Sequence, residues 1–226
     1  MAASSWPRSE SETWRLDEAA AGPVIRAAHL GRRRLFKAGE YLYRQGETSS
    51  LFYFILRGHV QISACREDGA EFVLEVMGHW AVCGEGAAFD GRPRFSAAYA
   101  LEDTEAVVFD ASTVQESFRT YPELAVALLR ITSMKQRVLG VRALYLSSPR
   151  PEARIAELLH RLVELYGTQD GEATVVNISL THEQMAAMTG TTRVTVTRVL
   201  KRLRDEGVLH LKGRQLRIFD LRRLIL

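Results

Sequence analysis

Residues 180–203, LTHEQMAAMTGTTRVTVTRVLKRL, restrict the fold of this chain more than any other stretch. Thr181 and Gln184 have the spacing of a helix N-terminal capping box, so a short helix is predicted to begin there. Gly190 lies where a tight turn would end that helix, and a second helix is predicted from about Thr192. Residues at helical spacing form its predicted buried face: Val196, Val199, Leu200 and Leu203. Two short helices joined by such a turn predict a helix-turn-helix.

The predicted outward face of the second helix carries the chemistry of DNA recognition. Its residues are Arg193, Val194, Thr195, Thr197, Arg198, Lys201 and Arg202. Guanidinium groups near a helix N-terminus reach guanine O6 and N7 in the major groove, while hydroxyls and a basic last turn suit phosphates. Residues 193–223 contain 10 Lys and Arg against 3 Asp and Glu, so positive charge is concentrated here. An exposed amphipathic helix of an enzyme would also carry Arg and Lys, but it would not need the preceding helix and glycine turn.

Residues 189–220, TGTTRVTVTRVLKRLRDEGVLHLKGRQLRIFD, resemble the winged helix-turn-helix of the Crp/Fnr family of bacterial transcription regulators, with a hairpin wing at 207–220. The resemblance implies a homodimer that binds an imperfect palindrome in double-stranded DNA. It also implies that Arg193 and Arg198 read guanines, and that Val194 stands where many members have Glu. Because valine can only contact a thymine methyl group or leave the pair unread, we expect T·A to be tolerated or preferred there. Contacts to the DNA backbone are expected from Thr181, His182, Thr192, Thr195, Thr197, Lys201, Arg202, Lys212 and Arg214.

Short strand-like runs separated by turn signals occupy most of residues 24–110. The runs are 40–44, 51–56, 59–65, 71–77, 97–101 and 105–109, with glycine-containing turns between most of them. This spacing predicts an antiparallel barrel or roll. The stretch also resembles the cyclic-nucleotide-binding roll of the same family, so the resemblance extends from about residue 30 onward.

A long helix is predicted from Pro122 to about Leu146. Its apolar residues advance by three or four and form a seam that would pair two helices, namely Leu124, Leu128, Ile131, Met134, Val138, Val141 and Tyr145. Spacing alone would equally allow a contact within the chain's own core, but the family forms its dimers through a helix in this position. Residues 147–151, SSPRP, then predict a hinge, followed by a helix at 151–166 and a polar loop to about 177.

Together these features predict an α+β protein with four parts. They are a mobile N-terminal arm (1–22), an effector-sensing β-roll (23–120), a dimerisation helix (121–147) and a winged helix-turn-helix domain (148–226). The arm is polar and is predicted to be mobile or a short helix. Trp14 and Leu16 are its exceptions, because their apolar side chains suit a docking contact.

The effector site is predicted from the family's motif for cyclic AMP. Members that bind this nucleotide use a Gly-Glu pair and a later Arg-Ser pair, and Gly84, Glu85 and Arg94 match three of these positions. Phe95 takes the place of the serine, which removes a hydroxyl donor. The hydroxyl residues that read adenine on the long helix are also lost. Since a phosphate needs paired donors and the base needs polar partners, cyclic AMP is disfavoured as the effector.

The pair Arg94-Phe95 and the sequence TRVTVTR instead resemble the NtcA-like nitrogen-regulator branch of the family, which binds 2-oxoglutarate. The loop between Gly84 and Arg94 is shorter here, and Lys135 takes one of the ligand positions on the long helix. The resemblance implies a small anionic effector, such as a 2-oxoglutarate-like dicarboxylate, with Arg94 as its bidentate anchor and Lys135 as a further partner. The alternative is structural: Arg94 forms an ion pair with Glu85 or another acid.

Two cysteines and nearby histidines raise the question of a redox, haem or metal sensor. Cys65 and Cys83 form no CxxC motif and are too few for a four-cysteine cluster. His79 lies four residues before Cys83, and His59 shares a predicted strand with Cys65, but neither pair has a known ligand spacing. A haem or metal cofactor is therefore disfavoured. Two alternatives to a ligand-gated regulator stay open, namely a constitutive DNA-binding protein with a ligand-free roll and a redox- or haem-dependent sensor.

Composition and the remaining motifs exclude several classes of function. At 46% hydrophobic and 25% charged residues the chain is not disordered throughout, and no apolar run reaches the roughly 20 residues that span a bilayer. The N-terminus lacks the apolar segment of a signal peptide, so we expect a cytoplasmic protein without a membrane partner. No motif of hydrolytic or transfer catalysis occurs, so no enzyme activity is expected. As a transcription regulator the protein is expected to contact RNA polymerase.

Overall fold

An antiparallel β-roll, a long helix and a C-terminal helix-turn-helix unit follow one another along the chain, in agreement with the predicted α+β class. The computed structural model describes residues 14–148, 150–213 and 215–224. Residues 1–13 of the predicted arm, Pro149 of the predicted hinge and the predicted phosphate contact Arg214 lie outside the described residues. Within these described ranges, no helix is long and apolar enough to cross a membrane.

The roll is built from two four-stranded antiparallel sheets. Its strands are β1 (Arg32–Phe36), β2 (Tyr41–Tyr43), β3 (Leu51–Arg57), β4 (Val60–Cys65), β5 (Glu71–Met77), β6 (Val82–Cys83), β7 (Ala97–Ala100) and β8 (Thr104–Asp110). One sheet has the order β1-β8-β3-β6 and the other β2-β7-β4-β5. Large apolar side chains from both sheets, including Phe36, Tyr53 and Ile62, fill the space between them.

Two strands of the roll lie outside the predicted runs. β1 reads RRRLF and has four exposed residues before its one buried residue, so it shows no alternation of apolar and polar side chains. Its charged side chains suit its place at the edge of a sheet, where they discourage pairing with another chain. β6 contains only two residues, which is too short for any periodicity to be visible.

The described part of the predicted arm, residues 14–22, is packed against the protein, so the prediction of a mobile arm is wrong for it. α1 (Glu18–Arg26) begins after Asp17, whose carboxylate accepts a hydrogen bond from the backbone N–H of Ala20 at 2.7 Å. Trp14 and Leu16 are 4% and 5% exposed, which confirms their predicted docking. The roll contains two further short helices, α2 (Glu85–Asp90) and α3 (Ala111–Ser117).

The long helix α4 (Pro122–Leu146) has the predicted bounds, but much of its apolar seam faces the chain's own core. Leu124, Leu128 and Ile131 are buried in one cluster with α1 and the first sheet, and Val138 is buried as well. The predicted dimer seam is therefore wrong for these four residues, which are buried within the chain itself, whereas Met134, Val141 and Tyr145 are half-buried. Apolar side chains of α4 that remain exposed lie on a neighbouring face: Val126, Leu129, Leu139 and Leu144.

The C-terminal unit surrounds a core of its own, to which one strand of the roll also contributes. Its elements are α5 (Pro151–Tyr166), β9 (Gly167–Asp170), β10 (Ala173–Val176), α6 (His182–Thr189), α7 (Arg193–Asp205), β11 (Leu209–Lys212) and β12 (Gln215–Ile218). The strands form one antiparallel sheet in the order β11-β12-β10-β9, so the wing hairpin is extended by a second hairpin. The predicted polar loop at 167–177 is wrong for this reason. β9 reads GTQD and carries no buried residue, so only its pairing with β10 identifies it as a strand.

The C-terminal unit packs against β5 of the roll. Val73 and Val76 of this strand belong to the same core as α5, α6 and α7. Residues three apart on a regular strand point to opposite faces, but the pairing of β4 with β5 shifts by one residue opposite Ile62 and Ser63. Such a bulge turns both valines toward the C-terminal unit. The orientation of the DNA-binding helices relative to the roll is therefore fixed by packing as well as by α4.

Candidate DNA-binding surface and effector site

The N-terminus of α6 has the predicted capping box. The backbone N–H of Gln184 donates to Oγ1 of Thr181 at 3.1 Å, and the backbone N–H of Thr181 donates to Oε1 of Gln184 at 2.9 Å. Nε2 of Gln184 also donates to Oε1 of Gln61 in β4 at 2.9 Å, which ties the helix start to the roll. Gly190 ends the helix in the left-handed conformation with a φ of 58°, as the tight turn requires. Both predicted positions, Thr181 and His182, therefore lie at the start of a capped helix.

The recognition helix α7 begins with Thr192 as its cap. Oγ1 of Thr192 accepts a hydrogen bond from the backbone N–H of Thr195 at 3.2 Å, and the two hydroxyl oxygens are 3.0 Å apart. Thr195 is therefore only half-exposed and its hydroxyl already takes part in the cap. The predicted buried face is confirmed, since Val196, Val199, Leu200 and Leu203 are at most 2% exposed.

The outward face of α7 presents the predicted recognition side chains to solvent. Val194 is 77% exposed, and the side chain of Arg198 is 72% exposed, with its nearest carboxylate, Glu152, 4.0 Å away. Arg193 is also exposed and lies one turn before Thr197. Oγ1 of Thr197 donates to the carbonyl of Arg193 and lies 2.9 Å from Nδ1 of His182, so this hydroxyl holds α6 against α7. Lys201 and Arg202 continue the exposed basic face.

A groove of about 420 Å³ separates the helix-turn-helix from the wing. It is lined by Leu180, Thr181, His182, Glu183, Met185, Arg193, Leu211 and Gly213. The wing turn follows Lys212, which is exposed, and Gly213 adopts a φ of 66° that favours glycine. The starts of both helices and the wing therefore face the same concave surface. A DNA backbone lying along it would meet the N–H groups of helix N-termini and a lysine.

Arg94 of the predicted effector site is buried without a carboxylate partner. Nη1 donates to the carbonyl of Gly84 at 2.7 Å, and Nη2 donates to the carbonyl of Leu51. The guanidinium carbon lies 4.3 Å from the ring centre of Tyr43, and Nε has no hydrogen-bond partner in the part of the chain that the structure describes. The residue is only 2% exposed. The alternative of an Arg94–Glu85 ion pair is therefore wrong, since backbone carbonyls and an aromatic ring hold the guanidinium.

Glu85 pairs with Lys135 instead. Nζ of Lys135, which projects from α4, lies 2.5 Å from Oε1 of Glu85 in α2 and donates to the carbonyl of Val82 in β6 at 2.6 Å. Both side chains are mostly buried, at 19% and 12% exposure. The long helix is thus joined to the segment that precedes and begins α2 by one lysine. Gly84 lies in that segment with a φ of 82°, and a β-carbon there would approach Nη1 of Arg94 to 2.6 Å.

The side chain of Phe95 does not lie beside the other predicted effector residues. It is 75% exposed, whereas Arg94, its neighbour in the chain, points into the protein. Tyr43 takes the aromatic position beside the guanidinium, and burial raises the pKa of its hydroxyl well above the ordinary value. Sequence reasoning missed Tyr43 because an inward-facing tyrosine on a short strand looks like any other core residue.

The cysteines and histidines do not converge on one site. Cys83 is 2% exposed inside the roll, while Cys65 is exposed on the other sheet. Nδ1 of His79 lies 2.6 Å from the carbonyl of Leu56, and Nδ1 of His59 lies 2.5 Å from Oε1 of Glu102. Across the part of the chain that the structure describes, no group of three or more His, Cys, Asp or Glu side chains has an arrangement that could hold a metal ion.

Two family models match this chain in the order in which its two units occur. Residues 33–121 match the cyclic nucleotide-binding domain, and residues 153–225 match the Crp-like helix-turn-helix domain. The first match covers the roll, including Gly84, Glu85 and Arg94. The second covers the capped helices and the wing.

Curated proteins of similar length match most of the chain. It is 31% identical to the CRP-like cAMP-activated global transcriptional regulator of Mycobacterium tuberculosis, over 84% of this chain and 84% of that protein. It is 25% identical to the global nitrogen regulator of a Nostoc species, over 81% and 83%. The predicted likeness to the nitrogen-regulator branch has loose support, because identity to the cAMP-activated regulator is higher. In fold, the chain is similar to the solved structure of FixK2 from Bradyrhizobium japonicum, with a TM-score of 0.77 over 86% of this chain and 95% of that one at 21% identity.

Proposed function

This chain belongs to the Crp/Fnr family of transcription regulators, and we propose that it works as a homodimer whose binding to palindromic DNA is controlled by a small anion in the β-roll. The observation that carries this proposal is the buried guanidinium of Arg94, which has no carboxylate partner and an unpaired Nε. A cation held by carbonyl oxygens alone is stabilised when an anion replaces them. The two curated relatives named above are regulators of transcription rather than enzymes.

We assign base reading to Arg193, Val194 and Arg198 and contacts with the DNA backbone to the surrounding hydroxyl and basic groups. The exposure of Val194 and Arg198 supports this division, because base edges are reached only by side chains that project from the helix. Thr195 has a weaker claim as a phosphate contact, since its hydroxyl lies in the helix cap. Thr192 supports the cap and places the first N–H groups of α7 toward the groove.

The homodimer is proposed to form through the exposed face of α4. An exposed stripe, defined here as Val126, Leu129, Gly140, Ala143 and Leu144, lies on one side of this helix, with polar residues between its two ends. Exposed apolar side chains at helical spacing on a long helix are typical of a surface that pairs with another helix. A two-fold axis along this stripe would present two copies of α7 to successive major grooves.

The anion is proposed to act through the two cations of the site. Arg94 fixes Gly84 through its carbonyl, and Lys135 fixes Val82 and Glu85 from α4. A carboxylate or phosphate that takes Arg94 must displace the Gly84 carbonyl, and one that also reaches Lys135 must compete with Glu85. Either change alters how the start of α2 is held against α4. Because α4 carries the exposed stripe and leads to the C-terminal unit, the ligand would shift the population of domain arrangements.

A constitutive regulator is the second candidate function. Glu85 already neutralises Lys135, and both Nη atoms of Arg94 are already hydrogen-bonded. A site in this state is stable without a ligand, so the roll would serve as a scaffold and the protein would bind its DNA unaided. In either case RNA polymerase is the partner that we propose for the promoter-bound protein.

Fluorescence anisotropy on a selected palindrome and a scrambled control separates these two functions. The purified protein is stripped of ligand and titrated at one salt concentration, alone and with 2-oxoglutarate or cyclic AMP. Preference for the palindrome that appears only with an added anion, and that Arg94→Lys abolishes, is the expected result, because lysine keeps the charge but cannot donate a bidentate pair. A preference of about a thousandfold in the stripped protein would establish the constitutive candidate instead.

The assigned DNA contacts are tested with the same assay. Arg198→Ala should weaken binding to the palindrome far more than to the scrambled DNA, because a lost base contact reduces specificity. Arg202→Ala is the matched variant, since loss of a phosphate contact should weaken both by a similar factor. An equal effect of Arg198→Ala on both sequences would refute its role in base reading.

A further inference from the structure

Four residues of the N-terminal arm lie at the junction between the roll and the C-terminal unit. This strap, defined as Trp14, Arg15, Leu16 and Asp17, comes directly before α1. Asp17 caps α1, and Leu16 is buried in the core that α1 shares with α4. The C-terminal end of the strap is therefore anchored to the N-terminal half of the molecule.

The other end of the strap reaches the C-terminal unit. Trp14 is 4% exposed and packs in the interior cluster of the roll, where Leu165 near the end of α5 also packs. Its ring lies 6.5 Å from that of Tyr166, the last residue of α5, at an angle of 52°. The indole Nε1 has no hydrogen-bond partner among the described residues, so within them Trp14 acts through its shape and apolar surface.

Arg15 adds a polar contact to the same helix end. Its Nη1 donates to the carbonyl of Leu165 at 3.2 Å, across 150 residues of sequence. Carbonyl groups in the last turn of a helix lack intrahelical partners, and a cation there also interacts favourably with the helix dipole. Arg15 itself is exposed, so it contributes this contact without being part of a core.

Tyr166 is held from the side of the roll as well. Its hydroxyl donates to the carbonyl of Val76 in β5 at 2.7 Å, and its ring lies 5.3 Å from that of His59 in an edge-to-face arrangement. Burial, and after it the charge of Glu75, raises the pKa of the Tyr166 hydroxyl well above its ordinary value, so this group remains a donor at any physiological pH. The end of α5 is thus enclosed by the roll on one side and by Trp14 on the other.

We propose that the strap is an intramolecular clasp that fixes the orientation of the DNA-binding unit by holding the end of α5 against the roll. The unit is also connected to the roll through α4 and the segment after it, the valines of β5, the Gln184–Gln61 hydrogen bond and the ion pair between Arg161 and Glu75. Because α7 is packed on α5 and α6, a rotation at the end of α5 moves the whole recognition helix. The strap affects DNA binding by setting the orientation of the recognition helix, and it contacts neither DNA nor effector.

Hydrogen–deuterium exchange on the full chain without DNA tests the clasp. Trp14→Ala should raise exchange several-fold at residues 162–170 and at β5, while the interior of the recognition unit, residues 185–203, stays as protected as in the wild type. Trp14→Phe keeps an aromatic ring in the cluster, so it should raise exchange at residues 162–170 less than Trp14→Ala does. A uniform rise across β3 and β8 would overturn the proposal, since Trp14 would then be an ordinary core residue of the roll.

Arg15→Ala tests the clasp without creating a cavity in the core. This exposed side chain can be removed without a cavity, and it should raise exchange at residues 162–170 alone. Arg33→Ala is the matched control, since Arg33 is an exposed arginine with a single ion pair, to Glu105 at 3.3 Å, far from α5. Unchanged exchange at residues 162–170 in both Trp14→Ala and Arg15→Ala would also overturn the clasp.

The functional consequence rests on the proposed dimeric binding of DNA and is tested separately. Two recognition helices must have a fixed spacing to bind a palindrome, whereas an isolated half-site engages one helix. Trp14→Ala should therefore weaken binding to the palindrome by about tenfold or more, with little change on the half-site. An equal loss on both DNAs would refute the action through orientation. If the wild type showed no specific DNA binding, the proposed function would fail, whereas the exchange experiment would still decide whether the clasp exists.

Discussion

Cys83 and Cys65 differ in chemistry because of where each lies in the roll. Cys83 is fully enclosed, and burial raises the pKa of its thiol to about 12, against a smaller opposing effect of Lys135. A thiol reacts as the thiolate, so Cys83 is inert at neutral pH even when a small reagent is present. Cys65 is exposed at the end of β4. A redox response of the native protein would therefore have to begin at Cys65.

We predict that a disulfide reagent such as Ellman's reagent modifies one thiol of the native protein rapidly at pH 8, and the second only after denaturation. Raising the pH should not release Cys83 until the pH approaches about 12, because its pKa is raised and the thiolate forms only there. Cys65→Ser should remove the rapid phase completely. Rapid modification of two thiols in the native protein would contradict the burial of Cys83 and revive the redox-sensor alternative.

At the scale of single residues, the sequence did not predict the contacts of the side chains that were assigned to the effector site. Arg94 and Lys135 were both placed in the effector site, yet their contacts are three backbone carbonyls and Glu85. Carbonyl positions depend on backbone conformation, which the order of residue types does not reveal. The exposure of Phe95 could not be predicted either, because a motif match gives its place in the chain but not the side on which its ring lies.

The recognition helix was predictable as an element because all its signals are local. The cap, the glycine turn and the buried face fall within 24 residues, and each is confirmed by a contact or by burial. β9 was not predictable, since a polar edge strand is defined by its partner β10 rather than by its own pattern. The dimer seam predicted on α4 was wrong at its buried residues for a related reason. Helical spacing shows that a stripe is apolar, but not whether the chain itself or a second copy covers it.

Val194 is proposed to contact a thymine methyl group or to leave its base pair unread, and a single substitution should change this. We predict that Val194→Glu replaces the tolerance of, or preference for, T·A by a C·G preference at one position of each half-site, because glutamate accepts a hydrogen bond from cytosine N4. The expected change in discrimination is about tenfold to a hundredfold. Val194 is 77% exposed, so the fold should be unaffected. Anisotropy on palindromes substituted at each position measures this change in discrimination. Val194→Ala, which should relax the preference without creating one, is the control, and unchanged preferences in both variants would exclude Val194 from the interface.

The exposed stripe of α4 makes a prediction about assembly. Leu129 is 68% exposed in a single chain, so Leu129→Glu should leave the free energy of unfolding of one chain nearly unchanged while placing a charge in the proposed dimer interface. We expect the variant to sediment as a monomer of 25.4 kDa under conditions where the wild type is a dimer. Leu35→Glu, at a position 56% exposed on β1, is the matched control and should remain dimeric. A dimeric Leu129→Glu variant would show that the interface lies elsewhere.

At the scale of the whole molecule, one cluster of buried charges joins all three parts. Glu75 of β5 lies 3.8 Å from Nη1 of Arg142 in α4 and 3.7 Å from Nε of Arg161 in α5. Arg161 also pairs with Glu157 at 3.3 Å. Each of the first three side chains is at most 7% exposed, and one carboxylate oxygen of Glu75 has no hydrogen-bond partner. Sequence reasoning did not find this cluster, because its members lie 67 and 19 residues apart and each resembles an ordinary surface charge.

Buried charges stabilise the arrangement of the three parts only while each has a partner of opposite charge. Glu75→Gln should therefore lower the free energy of unfolding by about 3 kcal/mol, because it removes the carboxylate that pairs with the buried Arg142. Arg142→Met added to Glu75→Gln removes that cation, and Arg161 retains Glu157, so the double variant should recover part of the loss. Urea unfolding of the four proteins in this cycle should give a coupling of about 0.5–3 kcal/mol. Asp103→Asn breaks an exposed pair with Lys37 at 2.8 Å, should leave stability nearly unchanged and serves as the control. Strictly additive effects of Glu75→Gln and Arg142→Met would mean that these two charges do not interact, and that the buried cluster does not couple α4 to β5.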